Sequence, residues 1–383
     1  MYKRVLLACL FAWAGISVFS PSALAEASQF VENKTSHNDL AVTNAQTTIP
    51  SDKVGLFLSS DPNDFEFGLY DTFLNTPLGQ NAITVTVEVT LVNTINMSLF
   101  VPPSTDPTGI AYLSSSGTLL VSDSEVEDSP YFQGNYFEVS LSGDLLETYT
   151  STMTTPISQE PTGVAYNPYN QHLFISDDDY QRVYEVDPST DGQYDTPDDI
   201  VTFFSTFESD FQCKDPEGIA FDHWRGHLFI ACGIDGNGEL DKEVYDIDPG
   251  ANKIFDGVYP VGDDQVFHFD TASLGIDDPE GIEFDPIYGS LYILSSTDKI
   301  IAETTLSGTL IRIVDISSLP IIAASGLALA PGSTDPTQRH LYITDRGEDF
   351  SANPDQNDGM IYEVEFPPRH LSKIFLPMVT KNP

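Results

Sequence analysis

From about residue 85 to residue 366 the chain alternates short apolar runs with polar punctuation. Runs such as Thr118-Leu119-Leu120-Val121-Ser122, Leu173-Phe174-Ile175-Ser176 and Leu341-Tyr342-Ile343-Thr344 are rich in aromatic and β-branched residues, with Gly, Pro, Asn and Asp between them. That is the signature of strands, and no long segment with a 3.6-residue period follows the first 25 residues. The runs are also ordered. Five units open with a Gly-containing strand: Asp106-Pro107-Thr108-Gly109-Ile110-Ala111-Tyr112, then Glu160 to Tyr166, Asp215 to Phe221, Asp278 to Phe284, and a degenerate Ala324 to Leu329. The shared Gly falls at 109, 163, 218, 281 and 326, in steps of 54, 55, 63 and 45 residues. Second and third strands follow each opening and a fourth follows in the first four units, the third of the fourth unit being weak in sequence.

Four strands per unit at this spacing predict an all-β protein, a β-propeller of four-stranded blades. The Gly-containing opening suits the innermost strand, because Gly and Ala let strands crowd near an axis. The fifth unit ends at Phe366 without a fourth strand, and residues 84 to 97 stand where a fourth strand precedes every later unit. With Val89 to Ile95 as the outer strand of the last blade, the ring closes without free edges. Five blades are expected; six is the rival, built from residues 51 to 83.

The ends read differently. Lys3 and Arg4, the apolar run Val5 to Phe19, and Ala23-Leu24-Ala25 form a secretory signal. Its 15 apolar residues fall short of the roughly 20 that span a bilayer, and no other segment is a candidate. The expected organisation is a signal over 1–25, a partly disordered extension over 26–83, the propeller over 84–366 and a tail over 367–383. The tail, apolar and then basic, suits packing onto the propeller or cell-surface attachment.

Charge narrows the partners. The 58 acids stand against 16 basic residues, and removal of Lys3 and Arg4 with the signal leaves 14, a net charge of −44. Such a field repels nucleic acid and anionic lipid and attracts cations. The acids cluster with Asn and Gly in loops, as hard-cation sites require, and calcium is the expected ion. An acidic coat that keeps an exported protein soluble is the plainer account, and the two are compatible.

The Asp-Pro-Glu-Gly-Ile of residues 215–219 and 278–282, with aromatic-rich strands after it, resembles the SdiA-regulated propellers and their phytase-like esterase relatives. More distantly it is similar to NHL-repeat and gluconolactonase-type propellers. The resemblance spans residues 85 to 366 and implies the fold. Gluconolactonase-type enzymes hold a divalent ion at the tunnel mouth, which implies an ion near the residues that precede each repeat Gly.

Those residues are Thr108, Thr162, Glu217, Glu280 and Ser325. Glu217 and Glu280 on adjacent blades, with hydroxyls completing the ring, are a candidate calcium site; alternatively each carboxylate caps its own turn. On the same face Asp345 opens a stretch through Asp349, Asn353, Asp355 and Asn357 to Asp358, a second candidate calcium loop. On the opposite face Asp191, Asp198 and Asp199, with Asp195 between them, recur as Asp256, Asp263 and Asp264 one blade later, in a shared Asp-Gly-x-Tyr-x-x-x-Asp-Asp. Two independent calcium loops are expected there, with Gly-driven hairpin tips as the alternative. Cys213 and Cys232 belong to loops of one face in one blade, so a disulfide is expected, against two buried thiols.

Nucleophilic chemistry finds no motif: Gly-x-Ser-x-Gly, phosphate loops and His-Glu-x-x-His are missing from the sequence. His172, His227 and His340 each begin a second strand, which speaks for packing. Arg182, Lys214 and Arg346 lie in loops of the mouth face and suit gripping an anion or scattered ion pairs. The functional expectation is an extracellular or cell-surface binding module with an unidentified ligand or protein partner. The alternatives are a metal-dependent hydrolase of phosphoester or lactone type at the mouth, and a structural surface component.

Overall fold

A computed structural model describes residues 56–57, 68–69, 85–125, 135–150, 158, 160–209, 211–234, 240–348 and 357–369. The expected signal over 1–25, most of the 26–83 extension and the tail after Arg369 lie outside the described residues. The chain divides into two units, Met1–Ala82 with Arg369–Pro383, and Ile83–Pro368. In the first, Leu56–Phe57 pairs antiparallel with Gly68–Leu69. The second is the propeller. No helix among the described residues is long and apolar enough to cross a membrane.

Five sheets form the blades, their first three strands antiparallel and in chain order from the inner strand outward. Their inner strands are Pro107–Leu113, Pro161–Tyr166, Pro216–Asp222, Pro279–Asp285 and Ala324–Pro331. The fifth blade takes its outer strand from Thr90–Asn96, paired with Met360–Glu365 in a register that sets Ile95 against Ile361. The ring thus closes with five blades. The sequence did not reveal a further strand: Thr86–Glu88 adds parallel to Leu310–Asp315 and makes the fourth blade five-stranded.

Strand alternation explains the core. Leu119 and Val121 pack with Ala328, Tyr342 and Ile361 of blade five. Leu120, between them in sequence, packs with Val164, Ile175 and Tyr184 of blade two. Successive side chains leave a strand on opposite faces, so each blade feeds two neighbours. Five apolar clusters result, one between each adjacent pair of blades.

The repeat glycines form a waist around the axis. A Cβ placed on Gly109, Gly163, Gly218, Gly281 or Gly326 would meet the next blade's backbone at 2.1–3.0 Å. The contacts run Gly109 to Gly163, Gly163 to Glu217, Gly218 to Glu280, Gly281 to Ser325 and Gly326 to Thr108, once around the ring. Only a residue without a side chain permits this approach. The acidic mouth lies on one side of the waist and an aromatic chamber on the other.

Candidate functional site

The residue preceding each repeat Gly reaches toward the next blade. Thr108 Oγ1 donates to the Pro161 carbonyl at 3.3 Å, Thr162 Oγ1 to Pro216 at 2.7 Å, and Ser325 Oγ to Pro107 at 2.9 Å. The hydroxyls therefore stitch blade to blade. Glu217 and Glu280 occupy the same position in blades three and four, and their carboxyls line the mouth.

There Glu217 meets two acids outside the expected set. One carboxylate oxygen each from Asp178, Asp215 and Glu217 lies within 4.8 Å of the others. Gly233 makes room for them: its missing Cβ would sit 3.1 Å from Asp215 Oδ2 and from Glu217 Cγ, and 3.5 Å from Asp278 Oδ1. Burial, followed by the charge of Glu280, holds the Glu217 carboxyl well above the ordinary range. Burial and the Asp215 charge push Asp178 up to about 8. Like charges this close resist ionising together unless a cation joins them.

Glu280 takes a different partner. It is 6% exposed, its Oε2 accepts no hydrogen bond, and Arg346 Nη2 stands 3.6 Å away. Burial raises its carboxyl to about 7, against the opposing pull of Arg346. The mouth thus combines three convergent carboxylates, a near-neutral fourth, and a guanidinium. Arg182 instead stacks over Phe203 at 4.5 Å, and Lys214 lies 5.5 Å from the Phe207 ring.

The two repeated acidic loops behave differently. Asp256, Asp263 and Asp264 converge within 4.8 Å, the second such grouping among the described residues. Asp264 is 7% exposed; its Oδ2 accepts from Gly257 N at 2.9 Å, while Oδ1 accepts no hydrogen bond. Burial raises it to about 7. Asp191, Asp195, Asp198 and Asp199 form no such group. Asp195 turns to Thr150 at 3.2 Å, and Thr196 Oγ1 takes up Asp198 and Asp199 at 2.9 and 3.0 Å. A Cβ on Gly262 would stand 1.8 Å from Asp256 Oδ1, and blade two carries Pro197 at that place.

Asp345 is engaged by backbone, accepting from Ala323 N at 2.7 Å and Gly347 N at 3.0 Å. Asp123 and Asp177 cap their loops in the same way, from Asp106 N at 3.1 Å and Tyr180 N at 2.8 Å. Asp358 accepts from Glu348 N at 3.3 Å. Asp349 and Asp355 lie outside the described residues. Cys213 and Cys232 form a disulfide with Cα atoms 5.7 Å apart.

The repeated histidines pack. His172, His227 and His340 Nδ1 sit 2.6, 2.8 and 2.6 Å from Glu185, Asp246 and Glu363 on the neighbouring third strand. Thr118 with Glu138 at 2.6 Å and Ser290 with Glu303 at 3.0 Å complete the same column in the other blades. Asp178 and Asp215 were missed in the sequence, although Asp215 opens the Asp-Pro-Glu-Gly motif and Asp178 directly follows a second strand.

Strand pairing and the closed glycine waist define a five-bladed β-propeller. The sequence matches no protein-family profile and no curated protein. Among solved structures, the chain is similar to Myxococcus xanthus glutaminyl cyclase at 12% identity, over 74% of this chain and 98% of that one, with a TM-score of 0.42. It is similar to a gluconolactonase of Xanthomonas campestris at 14% identity, over 76% and 99%, with a TM-score of 0.42. Virginiamycin B lyase from Staphylococcus aureus is 14% identical over 67% of both chains, with a TM-score of 0.36. Likeness at this level adds nothing to the strand pairing as an argument for function.

Proposed function

We propose that the chain is an exported, calcium-dependent propeller hydrolase of phosphoester or lactone type, working at the acidic mouth. The observation that carries this reading is the convergence of Asp178, Asp215 and Glu217 beside Glu280 and Arg346. Hard carboxylate oxygens in that number suit calcium. A divalent cation bound there supplies a Lewis acid for a carbonyl or phosphoryl oxygen. Asp178, Asp215 and Glu217 would hold it. Glu280, with a carboxyl near neutrality, suits accepting a proton from water and returning it to a leaving group. Arg346 suits an anionic substrate or a developing oxyanion. Export rests on the N-terminal signal, and the Asp-Pro-Glu-Gly openings that liken the chain to phytase-like propellers favour phosphoesters.

A non-catalytic, calcium-stabilised binding module is the second reading. The Asp256, Asp263 and Asp264 group favours it, because this group lies on the face opposite the mouth, where an ion serves stability rather than chemistry.

A panel of chromogenic phosphoesters and lactones, assayed with calcium and with chelator, separates the two. Glu280→Gln keeps the shape and removes the base, so hydrolysis should fall at least about 100-fold, within the usual range for a general base. No turnover across the panel, or turnover that survives Glu280→Gln, would leave the binding module as the better account.

A further inference from the structure

The other side of the glycine waist holds a chamber of about 310 Å³ to which all five blades contribute. Four of its aromatic wall residues come from one repeat position. Tyr112, Tyr166, Phe221 and Phe284 stand three residues after the repeat Gly in blades one to four, and all four line the chamber. His223 extends the aromatic wall, edge-on to Phe284 at 5.4 Å.

One residue breaks the pattern. Two residues after the repeat Gly, blades one, two, three and five carry Ala111, Ala165, Ala220 and Ala328, whereas blade four carries Glu283. Its side chain lines the chamber. Packing alone does not call for a carboxyl where four blades use a methyl group.

The charged groups facing Glu283 leave its charge unbalanced. Arg339 is held by Asp285 through two 2.8 Å bonds, Nη1 to Oδ1 and Nη2 to Oδ2, so that pair is neutral as a unit. Asp285 also accepts from Ile287 N at 2.7 Å. Burial, then the Asp285 charge, lift the Glu283 carboxyl well above its ordinary range, and Arg339 and the Leu329 N–H offset this in part. His223 is shifted toward its neutral form by burial. An ionised Glu283 therefore gains most from a cation brought in from outside. Four aromatic residues around a carboxylate suit an organic cation better than a hydrated metal ion, because ring faces attract a weakly hydrated positive charge.

We propose that this chamber binds a small organic ammonium ion, with the Glu283 carboxylate as its counter-ion and the rings of Tyr112, Tyr166, Phe221 and Phe284 as its walls. The site is independent of the acidic mouth. Binding to the protonated carboxyl releases its proton to solvent, so affinity rises with pH until Glu283 is ionised before the ligand arrives.

The test is calorimetric titration of the full chain with benzylammonium, and with benzyl alcohol as its neutral counterpart, in calcium and physiological salt. The wild type should bind benzylammonium at least tenfold more tightly than benzyl alcohol, more tightly at pH 8 than at pH 6, and with proton release at pH 6. Glu283→Gln should abolish the preference and the pH dependence together. Glu283→Ala restores the alanine column, so it should melt no lower than wild type and still lose the ammonium ion. Glu280→Gln, at the other mouth, should leave the titration unchanged. Equal binding of amine and alcohol, no binding of either, or retention of the preference in Glu283→Gln would overturn the proposal. Loss of the preference in Glu280→Gln would overturn it as well, by placing the amine in the acidic mouth.

Discussion

Arg346 of blade five faces Glu280 of blade four at 3.6 Å, whereas Glu217, at the equivalent position of blade three, faces Asp215 and Asp178. Two glutamates in one repeat position thus have different nearest partners. One is opposed by a guanidinium, and the other is crowded by acids. On the proposed function, the pair would act as a base beside a cation site rather than as two equal ligands of one ion.

Ion binding should reverse the sign of a single substitution in the blade-three loop. Asp264→Asn removes a buried charge and keeps an oxygen for Gly257 N. With chelator present the variant should melt above wild type, because repulsion with Asp256 and Asp263 is relieved. In calcium it should melt below wild type, because a ligand is lost. Calcium at 100 times the dissociation constant of the site contributes about 2.7 kcal/mol, or roughly 4–5 °C in a domain of this size. Melting of both proteins under both conditions checks this. An Asn variant that melts on the same side of wild type in chelator and in calcium would remove the site.

The dependence of stability on pH follows from the raised carboxyls. Asp178 at about 8 and Asp264 and Glu280 at about 7 all lie above their ordinary values near 4. A carboxyl raised by folding contributes stability that is complete below its unfolded value and lost as pH rises through its folded value. In chelator, the melting temperature should therefore fall steadily between pH 4.5 and pH 8. Calcium, binding the ionised forms, should flatten or reverse that slope. A chelated protein most stable at pH 8 would contradict the assignment of these groups.

Much of this molecule can be read along the chain, for definite reasons. The Gly spacing is visible because a waist this narrow accepts no other residue, and the closing strand is visible because blade five lacks a fourth run. Thr86–Glu88 escaped because three residues carry too little alternation to identify a strand. Asp178 reaches Glu217 from the neighbouring blade, a contact that no spacing within one repeat reveals. The acidic loops of blades two and three share their spacing, so spacing alone does not tell that only the blade-three loop gathers its carboxylates. Glu283 was in plain view as the odd member of an alanine column, but alternation alone does not say that the column borders a chamber.

Closure by the N-terminal segment gives the last prediction. Thr90–Asn96 supplies the outer strand of blade five, and Ile95 and Met97, at 3% and 0% exposed, pack into the cluster between blades five and one. Thr86–Glu88 pairs with blade four just before it, so one segment covers the edges of two adjacent blades. Removing it exposes the third strand of blade five as an edge and strips two buried side chains, at about 2–5 kcal/mol for each large apolar residue lost. Residues 26 to 50, rich in Ser, Thr, Asn and Ala, read in the sequence as an extension outside the blades. A chain that begins at residue 51 should therefore melt cooperatively near the full-length midpoint, whereas one that begins at residue 98 should be aggregated or melt without cooperativity. A peptide of residues 84 to 97 added in trans should restore part of the transition. Circular dichroism melts and size-exclusion chromatography on the two truncations check this, and a monomeric, cooperative chain lacking residues 84 to 97 would show that the ring closes in some other way.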